Sequence, residues 1–265
     1  MVLARSPDFS EDLMPLQGLI FDVDGTLAET EEVHRQAFNE AFAAFGLPWK
    51  WERPLYKELL PVSGGKERIL HYLTKWHAQD LAAVREKIPA IYDFKTQQYT
   101  GAILAGAVEL KPGIARLMGE AKARGARLAI ATTTHRDNVE ALLQHTLPEQ
   151  GVSLFDAIVA GDEVSAKKPD PQVFEAALRK LRLPVASCVA FEDSANGVNA
   201  ARGAGLRVVV TPGIYTADDD FSGASSVVSD LGERGRPHQH LAGWKWPDGY
   251  VSFAALRTKT EEGPA

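Results

Sequence analysis

An apolar run over residues 16–21 stops abruptly at Asp22, and Asp24, Gly25 and Thr26 follow. The stretch 19–30, Leu-Ile-Phe-Asp-Val-Asp-Gly-Thr-Leu-Ala-Glu-Thr, constrains this chain more than any other. The run reads as a buried strand. A carboxylate at the C-terminal end of such a strand stands on the rim of an open sheet, where α/β folds bind ligands. Two neighbouring carboxylates can divide the labour, Asp22 pointing outward as a nucleophile and Asp24 turning back as a proton carrier. Gly25 lets the backbone turn sharply there. The bland alternative is a strand end followed by an Asp-Gly turn, and D-x-D-G alone does not separate the two readings.

Residues 31–107 carry only helical signals. Ala37, Phe38, Ala41, Phe42 and Phe45 recur at spacings of three and four, an amphipathic helix with Thr30 as its expected N-cap and Gly46 and Pro48 as its stop. Further helices are expected over 54–60, over 66–76 and from about 81 to 105, the last broken or kinked at Pro89. From Lys111 on, helices (114–124, 138–145, 171–181, 195–203) alternate with strands (127–131, 155–160, 187–191, 207–210). Such alternation predicts an α/β fold, a Rossmann-like doubly wound and mostly parallel sheet. This core would span residues 1–29 and 108–265, with an all-helical cap inserted at 30–107. The tethers, 27–30 and 107–112, would lie at the mouth of the sheet-edge site and suit a lid. Beyond Gly232 the chain is rich in Gly, Pro, His and Trp, with a strand-like piece at 250–256 and no assigned role.

The 265 residues, 45% of them apolar, suffice for one sizeable core and a smaller second unit. A net charge of −6 argues against nucleic acid or an anionic membrane as partner, and no apolar run approaches the ~20 residues of a membrane span. Residues 1–14, with Asp8, Glu11 and Asp12, read as a frayed tail rather than a signal peptide. The single cysteine, Cys188, lies in an apolar run and reads as a buried thiol. These features lead us to expect a cytoplasmic monomer in a reducing compartment.

Further polar signals punctuate the alternation. Thr132 directly follows the strand 127–131, Lys168 stands in Ala-Lys-Lys-Pro-Asp-Pro ahead of a helix, and Glu192-Asp193 closes the strand 187–191. In a parallel sheet these strand ends share one edge with Asp22. Each also has an ordinary reading: a strand-end threonine, a loop lysine, a helix N-terminus with acids in its first turn. Lys167 reads as solvent-exposed. Taken together they suit phosphoryl transfer. A carboxylate nucleophile splits the reaction into two easier steps. Mg²⁺ offsets the repulsion between phosphate and carboxylate and takes hard oxygen ligands. Asp22, Asp193 and the Asp24 carbonyl can supply these, with Glu192 direct or through water. Thr132 can donate to a phosphoryl oxygen, Lys168 supplies positive charge, and Asp24 can act as acid and then base.

In this order and spacing the motifs resemble the signature of the haloacid dehalogenase superfamily of phosphotransferases, over about residues 16–230. The resemblance implies Asp22 as nucleophile, Asp24 as general acid/base, Thr132 and Lys168 as phosphate contacts, and Asp193 as a ligand of Mg²⁺. The insert resembles that of the subgroup holding β-phosphoglucomutase and the CbbY-type phosphatases. The text at 22–34, 64–68, 131–134 and 191–197 is closer to the latter. That likeness implies removal of the C1 phosphate of xylulose 1,5-bisphosphate, a Calvin-cycle by-product that inhibits Rubisco. A second phosphate needs a second anion site. Gly64 and Gly65 offer backbone N–H groups at a helix start, and Lys66 and Arg68 flank Glu67 just beyond. Thr133, Thr134, His135 and Arg136 follow the second strand and can face the same group. Glu31 and His34 can face the sugar hydroxyls, with Tyr56 and Lys57 as further candidates. The competing readings are solvated helix faces for 66–68 and for Glu31 with His34. A phosphomutase with the same machinery, or a non-catalytic sugar-phosphate binder, are the rival functions; retention of both aspartates argues against the binder.

Overall fold

Residues 18–21 are buried at every position, and the structure gives each side of this strand its own core. The computed structural model describes residues 15–149 and 151–262; the tail expected at 1–14 lies outside them. The strand β1 (Gly18–Phe21) is flanked by β2 (Arg127–Ala131) and β4 (Cys188–Glu192). With β3 (Ala157–Val159), β5 (Arg207–Val210), β6 (Ser226–Val228) and β7 (His240–Gly243) they form one sheet in the order β3-β2-β1-β4-β5-β6-β7. All pairings are parallel except β6 with β7. Phe21 lies in register with Ile130 and with Phe191, its ring stacked 4.6 Å from that of Phe191. The chain leaves β1 to one side through β2 and β3, then returns to the other side at β4. The C-terminal edge between β1 and β4 is therefore the topological switch point, where such sheets bind ligands.

Side-chain parity sorts the two faces, as the period of two requires. Leu19, Phe21, Leu128, Ile130, Val189 and Phe191 join one core. Ile20, Ala129, Ala131, Cys188 and Ala190 join the other. Helices α6 (Ile114–Lys122), α7 (Arg136–Thr146) and α10 (Phe253–Glu261) cover the first face. Helices α8 (Gln172–Leu181) and α9 (Ala195–Gly203) cover the second. Cys188 is a buried free thiol, and burial pushes it up to about 11.

Between β1 and α6 lies the all-helical insert: α1 (Glu31–Ala44), α2 (Arg53–Leu59), α3 (Gly65–Trp76), α4 (Leu81–Val84) and α5 (Ile88–Leu104). It has a third core, rich in rings, around Phe38, Phe42, Trp49, Trp51 and Tyr72. Trp51 has no exposed surface and packs 4.7 and 4.8 Å from the rings of Phe38 and Phe42. Among the described residues no helix is long and apolar enough to cross a membrane.

Three local expectations change. Pro89 does not kink a long helix. A 3₁₀ turn at Arg85–Lys87 makes the break, and Pro89 sits in the first turn of α5, where its missing N–H costs nothing. The piece at 250–256 is not a strand. Ser252 caps α10 by accepting from the Ala255 N–H at 3.1 Å, and Phe253, Leu256 and Thr260 are buried at helical spacing. Thr30 precedes α1 but makes no side-chain cap bond; its hydroxyl turns to Asp24 instead. The strands β6 and β7 had no sequence signal, β6 being three residues long and β7 exposed throughout.

Candidate active site

The end of β1 places Asp22 beside the end of β4, its N–H donating to the Phe191 carbonyl at 3.0 Å. The Lys168 ammonium bridges two buried carboxylates, 2.5 Å from Asp22 Oδ1 and 2.6 Å from Glu192 Oε1. Asp22, Glu192 and Asp193 each bring a carboxylate oxygen within 4.8 Å of the others. Burial, opposed by Lys168 and reinforced by Glu192, pushes Asp22 up to about 8. Burial and then the charges of Glu192 and Asp22 drive Asp193 well above the carboxylate range. Burial works against the charge on Lys168, but Asp22 and Glu192 outweigh it and hold the ammonium protonated. Three crowded carboxylates share one ammonium, so full ionisation of the cluster calls for a further cation. An all-oxygen donor set of this kind fits a hard divalent cation.

Small residues allow the crowding. Gly25 has φ +80, and a Cβ there would stand 2.3 Å from Asp193 Oδ2. A Cβ on Gly197, in the first turn of α9, would overlap the Glu192 carboxylate. Glu192 Oε2 accepts from the Asp193 N–H at 3.1 Å, and Thr216 Oγ1 donates to Asp193 Oδ2 at 2.9 Å.

Asp24 turns away from this cluster. Its Oδ1 accepts from Thr30 Oγ1 at 2.5 Å and from His34 Nε2 at 2.9 Å. Burial opposes its ionisation, but His34 and Thr30 hold the carboxyl below its usual range. Lys95 Nζ lies 2.6 Å from His34 Nδ1. With the ammonium donating, His34 carries its proton on Nε2 and donates it to Asp24. Burial, then the charge of Lys95, keeps His34 below its ordinary value. Burial pulls Lys95 itself down to about 7; its Nζ lies 5.0 Å from the ring centroids of both Phe38 and Tyr99.

A cavity of about 370 Å³ opens between this sheet edge and the helical insert, within the usual range for small-molecule sites. Asp22, Asp24, Thr132, Thr133, Thr134, Lys168 and Asp193 line it from the sheet, and Glu31, His34, Lys57, Gly64, Gly65, Arg68 and Lys95 from the insert. Thr132 Oγ1 accepts from the Thr134 N–H at 3.2 Å, which leaves the Thr132 hydroxyl proton free to donate into the cavity. On the opposite wall Arg68 Nη1 donates to Tyr56 Oη at 3.2 Å, and Tyr56 donates to Glu31 Oε2 at 2.7 Å. Tyr56 therefore stands behind the wall and aims its neighbours, with no surface of its own exposed. Lys57 reaches across to Asp218 at 2.7 Å.

Several expected contacts are not made. Lys66 and Glu67 are exposed and do not line the cavity. The Lys66 ammonium lies 5.3 Å over the Tyr92 ring, because helical spacing turns it a full 100° per residue away from Arg68 and outward. Glu67 folds its carboxylate back against Gly64. His135 caps α7, accepting from the Asp137 N–H, and Arg136 is drawn to Glu163 at 2.7 Å. Neither lines the cavity. Lys167, expected in solvent, instead donates to the carbonyls of Gly161 and Val164. Glu192 sits behind Lys168 rather than on the cavity surface. Motif and spacing pass over Lys95, although a lysine on the buried stripe Ile91, Tyr92, Lys95, Tyr99 of α5 is a readable anomaly.

A carboxylate cluster that shares one ammonium, at a switch point roofed by helices, suits metal-assisted chemistry on a phosphate ester. The chain belongs to the haloacid dehalogenase-like hydrolase family, whose model matches residues 16–205. It is 53% identical over 220 residues to protein CbbY of Rhodobacter capsulatus, covering 82% of this chain and 95% of the relative. A crystal structure of a CbbY variant from Rhodobacter sphaeroides in complex with xylulose 1,5-bisphosphate superposes with a TM-score of 0.76. It shares 45% identity and covers 83% of this chain and 96% of that one. β-Phosphoglucomutase from Clostridium difficile shares the fold, with a TM-score of 0.70 at 18% identity over 93% of this chain and 98% of that one. The family match ends before β5, β6, β7 and α10; of these the strands complete one end of the sheet and α10 packs on its first face.

Proposed function

We propose that this protein is a Mg²⁺-dependent sugar-bisphosphate phosphatase working through an aspartyl-phosphate, with the C1 phosphate of xylulose 1,5-bisphosphate as its target. The observation that carries the reading is a single cavity with anion-binding groups on both walls. Lys168 and Thr132 stand beside the nucleophile, and Arg68, Lys57 and the N-terminus of α3 stand opposite. A ketopentose carrying a phosphate at each end suits that arrangement.

Asp22 and Asp193, with the Asp24 carbonyl, would hold Mg²⁺, and Glu192, set behind Lys168, would reach it directly or through water. When bound, the ion screens the repulsion between the nucleophilic carboxylate and the incoming phosphate. Lys168 and the Thr132 hydroxyl bind the oxygens of the transferred group. Asp22 attacks phosphorus, the bond from phosphorus to the C1 oxygen breaks, and the leaving alkoxide takes a proton from Asp24, which must enter this step protonated against the pull of His34 and Thr30. Asp24 then takes a proton from the water that attacks the aspartyl-phosphate. Thr30, His34 and Lys95 orient Asp24 for both transfers. Residues 30–107 act as the lid, and its closure over the cavity keeps bulk water from the ester during the first step. The high identity to CbbY proteins, against only fold-level likeness to β-phosphoglucomutase, favours water over a sugar as acceptor.

The test is phosphate release from pentose and hexose mono- and bisphosphates with Mg²⁺, with products identified. Xylulose 1,5-bisphosphate should give xylulose 5-phosphate and one equivalent of phosphate with the highest kcat/KM. Phosphoryl transfer to sugar without phosphate release would overturn the hydrolase reading, and equal kcat/KM for mono- and bisphosphates would overturn the bisphosphate reading.

A further inference from the structure

Lys111 stands on the second tether and does not line the cavity, yet its side chain is only 9% exposed. Its ammonium donates to the carbonyl oxygens of Gly25 at 2.7 Å, Thr211 at 3.0 Å and Pro212 at 3.2 Å. It also pairs with Glu29 at 3.2 Å. Its own N–H donates to the Leu27 carbonyl of the first tether at 2.7 Å. The ammonium thus joins both tethers to two sheet-edge loops, one after β1 and one after β5.

Both loops press on the same carboxylate. Gly25 abuts Asp193 so closely that a Cβ would stand 2.3 Å from Oδ2, and a Cβ on Gly213 would stand 3.1 Å from that atom. Thr216, five residues after Thr211, accepts from the Gly213 N–H at 2.8 Å and donates to Asp193 Oδ2 at 2.9 Å. Glu29 extends the tie by accepting from the Ile214 N–H at 3.3 Å. No other described side chain contacts the Thr211 and Pro212 carbonyls through a hydrogen bond. Without an ammonium there, the Gly25, Thr211 and Pro212 carbonyl oxygens would face one another without a shared donor.

We propose that Lys111 is a positioning residue: by clamping the carbonyls of Gly25, Thr211 and Pro212 it fixes the Asp193 carboxylate, and it ties that orientation to the hinge of the lid. The inference rests on the reading of Asp193 as a ligand of Mg²⁺. Groups that orient a ligand from behind typically change metal affinity by about 10–100-fold when removed.

The test is Mg²⁺ binding by titration calorimetry on the full chain without substrate, with thermal unfolding and steady-state kinetics alongside. Lys111→Met should weaken Mg²⁺ binding by about tenfold or more, and excess Mg²⁺ should restore much of kcat. Lys111→Arg, which keeps charge and donors, should recover most of the affinity. Thr216→Val cuts the last link to Asp193 without touching Lys111, so it should weaken Mg²⁺ binding too, and the double variant should lose less than the sum. If Lys111→Met does not fold, Lys111→Gln and Thr216→Val carry the same expectation. Lowered thermal stability with unchanged Mg²⁺ affinity in these variants would overturn the inference alone. A wild-type chain that binds no Mg²⁺ would overturn the metal reading and this inference with it.

Discussion

If the proposed bisphosphate reading holds, Arg68→Ala should remove the preference for bisphosphates over monophosphates. Arg68 is 9% exposed and lines the cavity from the first turn of α3. Its ionic hydrogen bonds are therefore little screened, and each is worth roughly 1.5–3 kcal/mol. At about 1.4 kcal/mol per decade, loss of one such bond to the distal phosphate lowers kcat/KM for the bisphosphate by about one to two decades. The same truncation removes the donor to Tyr56 Oη, which loosens Glu31 and adds to the loss. p-Nitrophenyl phosphate has no distal phosphate and should lose little. Lys66→Ala is the control, since Lys66 is exposed and does not line the cavity. The assay is kcat/KM for xylulose 1,5-bisphosphate and for p-nitrophenyl phosphate in all three proteins. Equal losses on both substrates would assign Arg68 a structural role. A selective loss in Lys66→Ala with none in Arg68→Ala would refute the orientation of α3.

Asp22→Asn should abolish turnover while a single cooperative melt persists, because the amide is isosteric but neither nucleophilic nor a good metal ligand; residual near-normal activity would remove the covalent step. Exhaustive chelation should silence the enzyme and added Mg²⁺ should restore it, measured as phosphate release; full activity after chelation would refute the ligand assignment. Stability should rise with pH between about 7 and 10.5 through Lys95, because across that window the unfolded chain holds the proton that the folded chain has released. That slope is about 1.4 kcal/mol per pH unit for one proton. Lys95→Met should flatten it relative to wild type in thermal or denaturant melts, and unchanged slopes would place the Lys95 proton elsewhere. Trp51→Ala should destabilise the insert by about 3–5 kcal/mol, seen as a lowered unfolding midpoint.

The sheet and the catalytic edge were legible because their signals are local and periodic. Leu19, Ile20 and Phe21 are apolar at consecutive positions because both faces of β1 are buried, and the run ends where the polar edge begins. Thr132, Lys168 and Asp193 inherit their meaning from parallel topology alone. The insert was less legible. Lys66 and Arg68 carry the same charge two residues apart, and only the packing of α3 decides which faces inward. Tyr56, expected as a substrate contact, holds its hydroxyl between Arg68 and Glu31 behind the cavity wall, an arrangement only the packing reveals. Lys95 acquires its role from a contact with His34 across 61 residues, which no local pattern encodes. Lys111, Thr211 and Thr216 meet through backbone carbonyls and a loop, and backbone contacts leave no residue-type signature.

The parity of β1 also sets what this gene can tolerate as it diverges. Because Leu19 and Phe21 belong to one core and Ile20 to the other, a one-residue insertion or deletion ahead of Asp22 would exchange the two sets. It would also slide Asp22 by one strand repeat, about 3.3 Å, away from Lys168. Substitution among apolar residues is survivable at these positions, but a change in length is not. The loops between the helices of the insert are under no such rule. Drift in length should therefore accumulate in the insert, while the spacing from Leu19 to Asp24 stays frozen.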